Sequence, residues 1–165
     1  MRIVGGNFKG RKFNPPAKSW PTRPTTDFSK EALFNILNNT WDFEGMKVLD
    51  LFGGTGNHSY EFISRGCNDV TYVDKFGGCI SFVKQTARDL EIENKINIVR
   101  GDVFKFIETI KNTGIKTFII HARKAMLGKF TPKQNLNIPP LKYEYVYKLK
   151  EDFPNDEIII NGGIT

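Results

Sequence analysis

No run of 18 consecutive apolar residues occurs in the chain, so no stretch is long enough to cross a membrane as a helix. The amino-terminal residues lack the apolar core of a signal peptide, and a soluble, cytoplasmic protein with no membrane partner is expected. Cysteine is scarce. Cys67 and Cys79 stand twelve positions apart with no C-x-x-C and no His/Cys cluster, which excludes a recognisable zinc site and reads as two reduced structural thiols. No glycine turn ends in the Lys-Ser/Thr of a phosphate loop, and none reads G-x-G-x-x-G, so nucleotide phosphates are not the implied guest. What remains is a 165-residue chain, enough for one domain with a real core.

The stretch that organises the chain is Val48-Leu49-Asp50-Leu51-Phe52-Gly53-Gly54-Thr55-Gly56. A strand-forming run with an acid near its end breaks into three glycines, and residues 57–65 then read as a helix. In an open parallel sheet, that strand-to-helix turn is where nucleotide-like ligands bind. An acid beside a G-G-T-G turn suits a ligand with an amino group and a ribose, such as S-adenosylmethionine; a bare structural turn is the alternative. A second strand, Val70 to Val73, ends in Asp74, whose carboxylate can take both ribose hydroxyls. The third, Ile96 to Val99, leads to Asp102 and Val103, where Asp102 can accept from an adenine amino group with Phe104 near the ring. Three acids at successive strand ends strengthen the ligand reading.

Charge is unevenly placed. Residues 1–30 hold seven bases against one acid, residues 31–115 nine against twelve, and residues 116–165 eight against five. A basic arm on a mildly acidic domain suggests a polyanionic partner, RNA or DNA. Residues 1–13 read as a small β-hairpin turning at Gly5-Gly6 or Lys9-Gly10. Its Arg2, Lys9, Arg11 and Lys12 can hold phosphates, while Phe8 and Phe13 either stack on bases or pin the hairpin to the domain. Residues 15–24 form a proline-rich connector. Thr26 or Asp27 then caps a helix with Phe28, Ala32, Leu33, Ile36 and Leu37 as its apolar face. Capping does not require Arg23, which falls close to any ligand over the glycine loop.

Met1-Arg2-Ile3-Val4-Gly5-Gly6, Lys9-Gly10-Arg11, Arg23-Pro24-Thr25-Thr26-Asp27, Lys30 to Asn35, Asp50 to Gly56 and Ser64-Arg65-Gly66 together resemble the bacterial 16S rRNA (guanine-N2)-methyltransferases. The resemblance covers residues 1 to about 112. It implies an α/β fold, a Rossmann-like methyltransferase sheet preceded by a β-hairpin, with S-adenosyl-L-methionine as donor and ribosomal RNA or the small ribosomal subunit as partner. Carried over by position, the cofactor site falls on Asp50, Phe52, Gly53, Gly54, Thr55, Gly56, Asp74, Asp102 and Val103. A monomer is expected.

That family's fourth strand runs into an Asp/Asn-Pro-Pro-Tyr/Phe loop, which holds the flipped guanine in line with the donor methyl. Here Lys116 to Ile120 runs into His121-Ala122-Arg123-Lys124, and Pro139-Pro140 lies between Ile138 and Leu141. The loop is missing, so the catalytic residue is left unassigned, with a candidate substitute in His121, accepting from the base amino group, and Tyr143 or Tyr145 stacking on the base. Residues 117–125, 138–143, 146–150, 152–154 and 160–164 resemble instead a segment of the tRNA-dihydrouridine synthases, which are flavin-dependent barrels. By position that puts flavin contacts on His121, Asn161, Gly162 and Gly163, but without the rest of a barrel FMN is not expected to bind. The chain thus reads as two pieces: a hairpin and linker over 1–26 with a methyltransferase core over 27–114, then a strand-helix-strand segment over 115–165. The segment either completes or replaces the end of the sheet, whose last strands are expected to be lacking. Lys142 to Phe153 is expected to be its helix, with Tyr143, Val146, Tyr147 and Leu149 on one face. Three readings follow: a methyltransferase with weak or absent turnover, a non-catalytic cofactor and RNA binder, and a dihydrouridine-synthase fragment.

Overall fold

A computed structural model describes residues 1–16, 20, 25–103, 105–106, 117–121, 143–155 and 157–161. The chain divides into two compact units, Met1–Phe106 and Ile107–Thr165.

In the first unit, α1 (Asp27–Thr40) is followed by β1 (Lys47–Leu51), α2 (Asn57–Ser64), β2 (Asp69–Asp74), α3 (Gly77–Asp89) and β3 (Ile96–Arg100). The strands pair in parallel in the order β1-β2-β3, with Leu51 opposite Val73 and Asp74 opposite Arg100. Parallel neighbours need a crossover between them, and α2 and α3 supply it. As the middle strand, β2 has neighbours on both edges, and Val70, Tyr72 and Val73 are fully buried.

Thr26 caps α1, accepting from the Ser29 amide at 3.2 Å, as one of the two expected caps. The expected apolar face of that helix holds only in part, since Leu37 is buried and Leu33 half-buried. Phe28 is 83% and Ile36 66% exposed, and Ala32 is exposed too, whereas Lys30, Phe34 and Leu37 are buried. Phe34 turns inward because Phe62 and Phe43 meet it edge-on, at ring separations of 4.7 and 6.1 Å.

Lys30 turns inward with it because a fixed set of acceptors offsets part of its desolvation. Its Nζ lies 3.1 Å from Glu61 Oε2 and donates to Asn57 Oδ1 at 2.8 Å and to the Arg2 carbonyl. Glu61, equally buried, also accepts from the Val4 amide and from Arg65 Nε, each at 3.0 Å. Burial outweighs these favourable partners and holds the Lys30 ammonium below its usual pKa range.

The same cluster anchors the amino-terminal hairpin. Arg2 and Lys12 pair antiparallel, and the Ile3 amide donates to the Arg11 carbonyl at 3.0 Å. The hairpin docks on the last residue of α2: the Asn7 amide donates to the Ser64 carbonyl at 2.7 Å, and the Phe8 amide to Ser64 Oγ at 2.9 Å. The first of these bonds satisfies a carbonyl that the end of a helix leaves open. Phe13 packs against Tyr60 with ring centres 5.5 Å apart, so of its two readings the pin is the one seen.

In the second unit, β4 (Thr117–His121) and β5 (Glu157–Asn161) pair in parallel, with α4 (Tyr143–Asp152) between them in sequence. The helix falls where the sequence puts it. Its inward residue is Val146, with Phe153 just beyond the end, while Tyr147 is 66% exposed rather than part of the buried face.

Candidate cofactor site

The site is built at the carboxyl ends of β1, β2 and β3. After Leu51 the chain enters a left-handed conformation at Phe52, with φ 56°, and the residue stands 60% exposed. A bulky residue rarely adopts that backbone conformation, and such strain concentrates at functional sites. Gly53 follows because nothing larger fits: a Cβ there would sit 2.4 Å from the ring of Tyr72. The Gly56 amide closes the turn on the Gly53 carbonyl at 2.8 Å, and Gly56, itself at φ 74°, opens α2.

Asp74 is the hub of this edge. Its Oδ2 accepts from the Gly54 amide at 2.9 Å, its Oδ1 from the Phe76 amide at 2.8 Å, and its backbone carbonyl from the Gly101 amide at 3.0 Å. One residue therefore ties the exits of all three strands together. Two amide bonds leave part of the carboxylate's capacity of about four acceptor positions for ligand hydroxyls. Tyr72 reinforces the loop from below, its hydroxyl donating to the Gly54 carbonyl at 2.6 Å. Burial pushes that phenol well above its usual pKa, so it stays protonated and keeps the bond.

The other expected residues are brought together in different ways. Asp50 shares the edge, but its Oδ2 is engaged by the first turn of α2, accepting from Ser59 Oγ at 2.6 Å and the Ser59 amide at 3.2 Å. Thr55 and Gly54 are buried within the loop. Asp102 is exposed past the end of β3, and Val103 beside it is buried. Arg23, Phe104, Gly162 and Gly163 lie outside the described residues. His121 and Asn161 are register partners at the ends of β4 and β5. Arg2, Lys9, Arg11 and Lys12 are all exposed on the hairpin, and Arg2 forms an exposed ion pair with Asp27 at 3.4 Å.

Two contributors escape a reading of the sequence: Tyr72 and the Lys30-Asn57-Glu61 cluster. Of these only Glu61 leaves a local signal, its i,i+4 spacing to Arg65. Among the described residues no group of three His, Cys, Asp or Glu side chains could hold a metal.

Comparison with known proteins bears on this geometry. The Bacillus subtilis protein named "Putative rRNA methyltransferase YlbH" is 37% identical over 102 residues, covering 62% of this chain and 54% of its own length. The tRNA-dihydrouridine(20/20a) synthase of Synechocystis is 41% identical over 97 residues, covering 56% of this chain. The chain spans only 29% of that relative's length. Among solved structures, the "Putative methyltransferase yhhF" of Escherichia coli shares the fold with a TM-score of 0.59 at 22% identity, over 96% of this chain and 74% of that one. Another, SMU.776, titled a "putative methyltransferase complexed with SAH", shares it with a TM-score of 0.54 at 16% identity, over 83% of this chain and 34% of that one. The fold is thus the Rossmann-like class found in S-adenosylmethionine-dependent methyltransferases. A family described as "Conserved hypothetical protein 95" matches residues 1–121, continuing through β4 beyond the expected limit near residue 112. With 121 of 165 residues matched, hairpin and glycine loop included, the chain belongs to that conserved hypothetical protein 95 family.

Proposed function

We propose that this chain binds S-adenosyl-L-methionine and acts in methyl transfer to RNA, with a guanine N2 of 16S ribosomal RNA as the target. The observation that carries the reading is the junction at Asp74, whose buried carboxylate holds the glycine loop and whose backbone carbonyl holds the exit of β3. A fixed acceptor at the second strand end suits a ribose diol, and a glycine loop without phosphate-loop features suits a nucleoside that carries no phosphate. Exposed Arg2, Lys9, Arg11 and Lys12 give the hairpin a surface for phosphates of ribosomal RNA or the small subunit.

Bound at this site, S-adenosyl-L-methionine would supply the methyl group: the guanine nitrogen would take the methyl carbon as the S–C bond breaks, S-adenosylhomocysteine would leave, and the amino proton would pass to water. Little acid-base help is needed, so positioning supplies most of the rate. The loop that does this in the resembled methyltransferases is absent after β4, where His121 leads into Ala122-Arg123-Lys124. Turnover is therefore weak or absent, and a cofactor and RNA binder without catalysis is the second reading. A different origin for the carboxyl-terminal piece belongs to the same reading and rests on the sequence of residues 117–164.

Calorimetric titration with S-adenosylhomocysteine, followed by a methyl-transfer assay on unmethylated small subunits, tests both readings. Binding with little or no transfer is expected. Transfer at rates of ordinary enzymes would make His121 the first residue to mutate, and absence of binding would end the methyltransferase reading. Changing Arg2, Arg11 and Lys12 together to alanine should weaken RNA binding and flatten its logarithmic salt dependence by about 0.7–0.9 for each phosphate that is no longer neutralised. An unaltered slope would remove the hairpin from the RNA interface.

A further inference from the structure

Trp20 lies in the connector between hairpin and α1, far in sequence from the second strand. Its indole nevertheless packs edge-on against Phe76 and Phe82, with ring centres 5.7 and 5.8 Å apart. The packing is built on both sides. Gly78, in the first turn of α3, leaves room for it: a Cβ there would sit 2.6 Å from the Phe76 ring and 3.2 Å from the indole.

Phe76 is also the residue whose amide donates to Asp74 Oδ1 at 2.8 Å. Whatever fixes Phe76 therefore fixes one of the two bonds that orient the Asp74 carboxylate. We propose that Trp20 is a positioning residue for the adenosyl group, acting through Phe76 on Asp74, and that Trp20 and Phe76 together form an aromatic wall at the adenosyl end of the site. This rests on the cofactor reading above. It extends that reading to Trp20, a residue outside the sheet.

Aromatic packing of this kind contributes beyond the area it buries, and an indole next to a bound purine changes its emission. The test uses the full chain with Trp41 changed to Phe, which leaves Trp20 as the sole indole fluorophore. S-adenosylhomocysteine should shift Trp20 emission, with a midpoint equal to the calorimetric Kd of the same protein. Trp20→Ala should weaken both S-adenosylhomocysteine and 5′-methylthioadenosine about tenfold, the same factor for each, because both carry the adenosyl group. Trp20→Phe should recover most of the loss, and its thermal transition checks that the fold is intact.

Unchanged emission on saturation, or alanine and phenylalanine variants that bind like the parent, would overturn the role of Trp20 while leaving the cofactor reading standing. A larger loss for S-adenosylhomocysteine than for 5′-methylthioadenosine would also overturn it, by placing the effect at the amino-acid end. A parent protein that binds neither compound would overturn the inference together with the reading it rests on.

Discussion

Replacing Asp74 with alanine should cost S-adenosylhomocysteine binding roughly 2–4 kcal/mol, about 30- to 900-fold in Kd. Two losses combine in that figure. On the proposed reading the ribose hydroxyls lose their charged acceptor, and the amides of Gly54 and Phe76 lose theirs, so the glycine loop keeps only its bonds to Tyr72 and Val73 at the end of β2. Asp74→Asn separates the two effects. An amide keeps one acceptor oxygen but presents N–H groups to one of the backbone donors, so the loop should stay partly misaligned and affinity should remain well below that of the parent. Calorimetry on the three proteins decides it. Equal affinity in all three would show that Asp74 only holds strand ends together.

The largest effect on stability is expected at Lys30. Changing it to methionine removes the ammonium facing Glu61 and leaves that buried carboxylate short of a partner, at a cost of about 3–5 kcal/mol. Glu61→Gln should also be destabilising, and the double variant should lose less than the sum of the two, because the surviving partner is no longer an uncompensated charge. Urea denaturation of the four proteins measures this, and strict additivity would show that the pair is not coupled. The pH dependence has a definite sign. The folded protein holds Lys30 below its ordinary value of 10.5, so between the two values the unfolded chain binds more protons. Stability from this group is therefore lost as pH falls through the folded value and recovered toward 10.5, and Lys30→Met should remove that slope.

The elements legible in the sequence are those whose causes are local. The glycine turn after Leu51, the acid closing β2 and the cap at Thr26 each rest on neighbours within a few positions, and all appear where the residues put them. The face of α1 is illegible for the opposite reason. Helical spacing offers two overlapping stripes, one through Phe28, Ala32, Leu33, Ile36 and Leu37 and one through Lys30, Phe34 and Leu37, and hydrophobicity favours the first. What selects the second is Glu61, 31 positions away, which makes a buried lysine tolerable. Tyr72 under the loop and Trp20 on Phe76 are tertiary neighbours of the same kind, with no periodicity to announce them.

The docking of the hairpin on Ser64 bears on the order in which the protein can be made. Asn7 and Phe8 leave the ribosome before Ser64, so their amides have no acceptor on α2 until that residue, more than fifty positions later, has also emerged. At about 5–20 residues per second that is a wait of roughly 3–11 s. During this time a short basic segment, with Ile3, Val4 and Phe13 uncovered, trails beside the ribosome's own RNA. Synthesis rate, and any chaperone that shields those residues, then bears on yield as directly as the stability of the finished fold.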